Sequence, residues 1–226
     1  MKHWIATLAL ACVTACASTT PPEAVAPRLP LPGAAIVIVE PDVNLALLAV
    51  NARTIAKPDW SATARDHIAL HARNTVAARG RQALTLSRAD ASAQARQILL
   101  LHDALRVSMR TAETGDPAPP TMRRERAWTL GAGAKSLAAD STATHALIIS
   151  CDGDFTSALR AVFVVGAAAT GVLAPTGLTR ASASLVDLES GAIVWKNSIV
   201  ARPDQDVRTA EGAQAFVAAL LNDAPL

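Results

Sequence analysis

The sequence predicts an α/β fold, a mixed, mostly parallel sheet covered by helices, with one antiparallel hairpin near the C-terminus. Two observations carry this expectation. Short apolar runs rich in β-branched residues alternate with longer segments of helical periodicity. Such alternation argues for strand–helix–strand units with parallel pairing. Near the end of the chain, two strand-like runs are separated only by a turn signal, which reads as a hairpin.

Taken in order, "AAIVIVEP" (34–41) is a continuous apolar run, read as a strand buried on both faces and ended by Pro41. "VNLALLAV" alternates in part and reads as a second short strand or an irregular segment. From Lys57 to Gly80, Trp60, Ala64, Ile68 and Ala72 share one side of a helix, with Asp59 as N-cap and Gly80 as stop. "QALTL" (82–86) is a short strand. Ser87 to Asp90 resembles a capping arrangement before a long helix in which Ile98, Leu101, Leu105 and Met109 recur at helical spacing. "TGDPAPP" breaks that helix.

A short alanine-rich helix follows from Ala134 to Asp140, then a buried strand, "HALIIS", then an apolar helix over 156–174. "RASASLVDLESGAIVWKNSIVA" reads as two strands around a turn at Glu189-Ser190-Gly191. "TAEGAQAFVAALLND" closes the chain as a helix, with Thr209 as N-cap and Glu211 in the first turn.

The N-terminus is organised differently. Lys2 and His3 precede an apolar segment, Trp4 to Val13, followed by small residues, which is the secretory signal layout. That segment is too short to span a bilayer, which takes about 20 residues. Val13-Thr14-Ala15-Cys16 resembles the lipobox of bacterial lipoproteins, with Cys16 as the lipidated residue; at Cys12 a leucine stands where a small residue is expected. The alternative is an ordinary signal peptide. The expected organisation is a signal peptide at 1–15, a lipidated Cys16 with a flexible proline-rich spacer to residue 33, and one periplasmic domain at 34–226. Ala17, rather than aspartate, follows the cysteine; in the enterobacterial sorting pattern this resembles, that implies the outer membrane.

Composition narrows the function. The net charge of +2 and the lack of a long like-charge run indicate no nucleic-acid surface. The basic cluster Arg123 to Arg126 reads as a solvated loop or a surface touching lipid headgroups. With Cys12 removed and Cys16 acylated, Cys151 is left alone and reads as a small buried hydrophobe.

"ATHALIISCDGD" followed by "ASLVDLESGAIVWKNS" resembles the envelope lipoproteins of the TolB-N-terminal, curli-secretion and penicillin-binding-protein-activator group, whose pattern is a strand followed by an "LVDxxTGxxVW"-like hairpin. "AAIVIVEPDVNL" and "WSATAR" are similar to a further set of proteobacterial lipoproteins. These patches are structural rather than catalytic. The resemblance implies an α/β periplasmic domain that binds protein partners.

His67 and His71 stand at i and i+4, a spacing that suits a metal pair, but a zinc site needs further ligands and no HExxH glutamate is present. Asp152-Gly153-Asp154 reads as a turn and cap past a strand end rather than a calcium loop. There is no nucleophile elbow, P-loop or dinucleotide fingerprint. Ala161 to Thr179 carries no charged residue and reads as a core helix, a docking surface or, less well, a membrane span.

These readings converge on a non-enzymatic lipoprotein without cofactor or metal. It is held to the lipid bilayer through acylated Cys16 and binds an envelope protein or itself. Phe163, Val164 and Trp195 are the candidate contact residues, with core packing as their alternative role. The other readings are a metal-dependent hydrolase using Asp152, Asp154, His67 and His71, and a small-ligand-binding module.

Overall fold

The structure, a computed structural model, describes residues 26–113, 128–139, 141–169 and 176–226. Cys12, Cys16, the Arg123–Arg126 cluster, Asp140 and residues 170–174 of the expected apolar helix lie outside the described residues.

The element order is β1 (Ala35–Val39), β2 (Asp42–Leu48), β3 (Thr54–Ala56), α1 (Pro58–Ala78), β4 (Gln82–Leu86), α2 (Ala93–Glu113), a 3-10 helix (Ala132–Ala138), β5 (His145–Thr156), α3 (Ala158–Ala169), β6 (Thr179–Asp187), β7 (Ile193–Val200) and α4 (Ala210–Leu220). All seven strands form one mixed sheet. Parallel pairing joins β4 to β1 and both β1 and β2 to β5. Antiparallel pairing adds β3 at one edge and the β6–β7 hairpin beyond β5.

β1 and β2 lie end to end along the same edge of β5. Ile38 pairs with Leu147 and Asp42 with Ser150, so one more residue is spent on the β1–β2 side than on β5. The extra residue falls at Glu40-Pro41, a bulge that accommodates a residue with no N–H to give the ladder. It also keeps the facing constant: Ile36 and Ile38 share a core with Val43 and Leu45 although their parity differs. A pairing without it would turn Val43 and Leu45 to the other face. Pro41 therefore divides one long strand rather than ending the sheet edge.

Helices cover both faces. On the first, Ala64, Ile68, Ala72 and Val76 of α1 and Phe216, Val217 and Leu220 of α4 pack on Leu147, Ile149 and Cys151 of β5 and Ala181, Ala183 and Leu185 of β6. On the second, Ala95, Ile98 and Leu99 of α2 and Ala134 and Leu137 of the 3-10 helix pack on Val37, Val39, Ala146, Ile148 and Val186. Arg208 stacks on Phe155 and Trp60, 3.8 and 4.8 Å from their ring centres, and fastens the chain ahead of α4 to α1.

Several boundaries differ from expectation, each for a local reason. α1 starts at Pro58, whose fixed φ suits a first helical position, so Asp59 sits inside the first turn instead of capping it. At α2 the capping oxygen is Ser92, which accepts from the Ala95 N–H at 3.1 Å; Ser87 is occupied with Glu40 and the Ala89 N–H. Thr209 caps α4 as expected, accepting from the Gly212 N–H at 3.1 Å.

Candidate functional site

β5 does not turn at Asp152-Gly153-Asp154. Each residue still has a partner on β2: Asp152 pairs with Asn44, Gly153 with Leu45 and Asp154 with Ala46. On the other edge Asp152 pairs with Arg180 and Gly153 with Thr179. A Cβ at Gly153 would come within 2.6 Å of Thr179 Oγ1, so glycine is what lets β6 approach here. The two carboxylates are therefore strand residues on one face, and the strand runs on to Thr156. Ser157 ends it and accepts from the Arg160 N–H at 3.2 Å, starting α3.

α3 has an inverted distribution of exposure. Arg160, its only charged residue, is buried and donates from one nitrogen to the Ala49 and Val50 carbonyls at 3.2 and 3.1 Å. Leu159, Val162, Phe163 and Val165 are 69%, 70%, 50% and 72% exposed. At 12 residues α3 is about 18 Å long. No helix among the described residues is long and apolar enough to cross a membrane. Val164 is half-buried on the same helix. Trp195 is elsewhere, on β7 opposite Leu185, packed against the first-face core. The structure thus brings Phe163 and Val164 together and leaves Trp195 apart.

The remaining candidates separate in the same way. His67 lies 3.4 Å from the Val207 carbonyl through Nδ1, and the His71 Nε2 is buried without a partner among the described residues. No group of three or more His, Cys, Asp or Glu side chains among the described residues is placed to hold a metal. Asp152 and Asp154 lie on the face opposite α1, so the two histidines and two carboxylates form no common site. Burial, and then the neighbouring Asp152 charge, push the Cys151 thiol up to about 12, leaving it protonated and unreactive at neutral pH.

A polar layer, which the sequence analysis does not assign, lies on the second face. On the second face β5 and β6 change character at one level. β5 carries Ala146 and Ile148, then Ser150, Asp152 and Asp154; β6, read the other way, carries Val186, then Ser184, Ser182 and Arg180. β7 adds Lys196 and Ser198, and β2 adds Asp42 and Asn44. The alternation in "SCDGD" and "RASAS" was the available signal: apolar or small residues face the first core and polar ones the second face. α2 carries His102, Asp103 and Arg106 here, interleaved with the apolar Leu105 and Met109. Arg106 donates to Asp152 at 3.0 Å, joining helix to sheet.

The segment entering β1 is also fixed. The Arg28 N–H donates to Asp187 at 3.1 Å, its guanidinium to Glu189 at 3.0 Å, and its carbonyl lies 2.8 Å from His145 Nε2. Burial raises the Asp187 carboxyl, but donation from the Ser190 hydroxyl and the Glu189 and Arg28 N–H groups, together with His145, brings it below the ordinary carboxylate value.

No protein-family model matches the chain, and no curated protein sequence does. Among solved structures, it is similar to the LpoB C-terminal domain from Salmonella enterica at 13% identity and a TM-score of 0.30, covering 75% of this chain and 84% of that one. It is also similar to lipoprotein GNA1162 from Neisseria meningitidis, at 13% identity and a TM-score of 0.34, over 84% of this chain and 94% of that one. Protein XCC0632 from Xanthomonas campestris, of family model DUF330, matches at 10% identity and a TM-score of 0.34, over 88% and 84% of the two chains. At these scores the role of the chain rests on its own residues.

Proposed function

We propose that this chain is a lipid-tethered envelope module, without catalysis of its own, that docks another envelope protein through α3. The observation that carries the reading is an apolar helix whose one charge is turned inward while its apolar side chains face solvent. A helix apolar around most of its circumference ordinarily lies against other apolar surface.

The position of α3 selects the occupant. The Arg28 strap meets the sheet beside His145, the first residue of β5, and α3 leaves from its far end. Twelve residues at about 3.3 Å each set these ends roughly 40 Å apart. A domain tethered through its strap presents α3 away from the anchoring bilayer, which favours a protein groove over the lipid surface. The expected mode is a helix seated in a partner's apolar groove.

A photo-crosslinking residue at Val162 or Val165 is expected to give one discrete adduct with a different protein, and none at Leu70, which is exposed on α1. Phe163→Asp should abolish the adduct, and a reciprocal probe in the partner's groove should give the same adduct with the unsubstituted chain. An adduct at twice the chain's mass would replace the partner with self-association; lipid adducts alone, or none, would overturn docking.

The anchor is tested separately. Cys16→Ser is expected to remove the acylated N-terminal peptide from the mass spectrum and to shift the protein from the membrane to the soluble fraction. Acylation surviving that change, or found on Cys12, refutes the assignment.

A further inference from the structure

We propose that the cleft between α2 and the polar half of the sheet binds a phosphate-type oxyanion. This site is independent of α3. It rests on an excess of buried hydrogen-bond donors in one place. Ser150 Oγ and Ser182 Oγ, neighbours in the β5–β6 register, have no hydrogen-bond partner among the described residues. Neither does Arg106 Nε, although the same guanidinium donates to Asp152 through its terminal nitrogen. Both ring nitrogens of His102, which is 1% exposed, lack partners too, and in any tautomer at least one of them is a donor.

Acceptors do not balance them. Asp152 already takes Arg106 at 3.0 Å and the Asn44 amide at 3.4 Å. Asp103 Oδ1, 3.8 Å from His102 Nδ1, is itself a buried acceptor without a partner among the described residues; it offsets one donor and leaves the others in excess. Native proteins satisfy nearly all buried polar groups, so clustered exceptions mark a place where something else supplies acceptors.

A cleft of about 240 Å³ opens on the β6–β7 side of this layer, lined by Arg106, Arg180, Ser182, Ser184 and Lys196 together with Met109 and one carboxylate, Asp152, which already accepts from Arg106. Its surroundings fix the chemistry of the guest. Ser182 and Ser184 rise from the sheet floor, Arg106 descends from α2, and Arg180 stands exposed at the rim. Donors arriving from several directions suit a tetrahedral group with oxygens on all sides better than a planar carboxylate, and arginine is favoured where phosphate oxygens are bound. A free phosphate and a phospholipid headgroup share this chemistry.

The test uses the full chain in detergent with two probes, inorganic phosphate and dihexanoyl phosphatidylglycerol, read by ³¹P line broadening and by the Ser182 amide shift. Saturable binding of at least one probe is expected, weakened at least about tenfold by Arg180→Ala with Ser182→Ala, a difference of 1.4 kcal/mol or more. Response to phosphate alone assigns a soluble ligand; response only to the lipid assigns a headgroup. No saturation with either probe, equal affinity in the double variant, or equally tight binding of acetate overturns the proposal. Should the double variant not fold, Arg180→Gln at the exposed rim carries the same comparison.

Discussion

Phe216→Ala is expected to lower the stability of the domain by about 3–5 kcal/mol. Phe216 is 0% exposed and is the largest of the fully buried side chains among the described residues, seated among α1, α4 and the first face of the sheet. Truncation removes apolar contact and leaves a cavity that α1 and α4, each held by further buried residues, cannot close. The loss is large against the roughly 5–15 kcal/mol that separates a folded domain from its unfolded chain. For a domain of this size it corresponds to a fall in Tm of about 6–20 °C at 2–4 °C per kcal/mol. The control is the same substitution on α3. Phe163 is half exposed, and Phe163→Ala should change stability by no more than about 0.5 kcal/mol. Thermal or urea unfolding of both variants reads the two residues against each other. Equal losses would mean that α3 packs on the body and is not a free surface.

That contrast also shows what the sequence could convey. The β-strands announced themselves where burial is one-dimensional: "AAIVIV" and "HALIIS" are apolar on both faces because helices cover both, and the hairpin carried a turn residue, Gly191, with the positive φ the turn needs. α1 was legible from its stripe of Trp60, Ala64, Ile68 and Ala72, which the structure extends to Val76 and in which Trp60 is only partly buried. α3 had no such stripe to read. A run that is apolar all round predicts burial, and nothing local distinguishes burial in its own domain from burial against something else. The extent of β5 was hidden for the opposite reason. Asp-Gly-Asp has the composition of a turn, and only pairing with β2 and β6, whose registers are tertiary facts, keeps it in the sheet. The polar half of the second face needs all of those registers at once, since its residues come from four strands and from α2.

Arg160→Met should release α3 while leaving the sheet intact. The methionine keeps an apolar stem of similar length but removes the donors that reach the Ala49 and Val50 carbonyls. Hydrogen bonds from a charged group are worth about 1.5–3 kcal/mol each, and a helix of this length is marginal in water without tertiary support. A combined loss of about 3 kcal/mol lowers amide protection in α3 roughly a hundredfold, at 1.4 kcal/mol for each factor of ten. The expected pattern in hydrogen exchange is local: amides after Arg160 in α3 exchange faster, while those of Leu147 and Ile149 on the central strand keep their rates. Crosslinking from Val162 should fall in parallel, because a partner must then order the helix as it binds it. The inward arginine holds α3 rigid while its apolar side chains remain outside. Unchanged protection in α3 would show that the helix is held by other contacts and that Arg160 does not set its geometry.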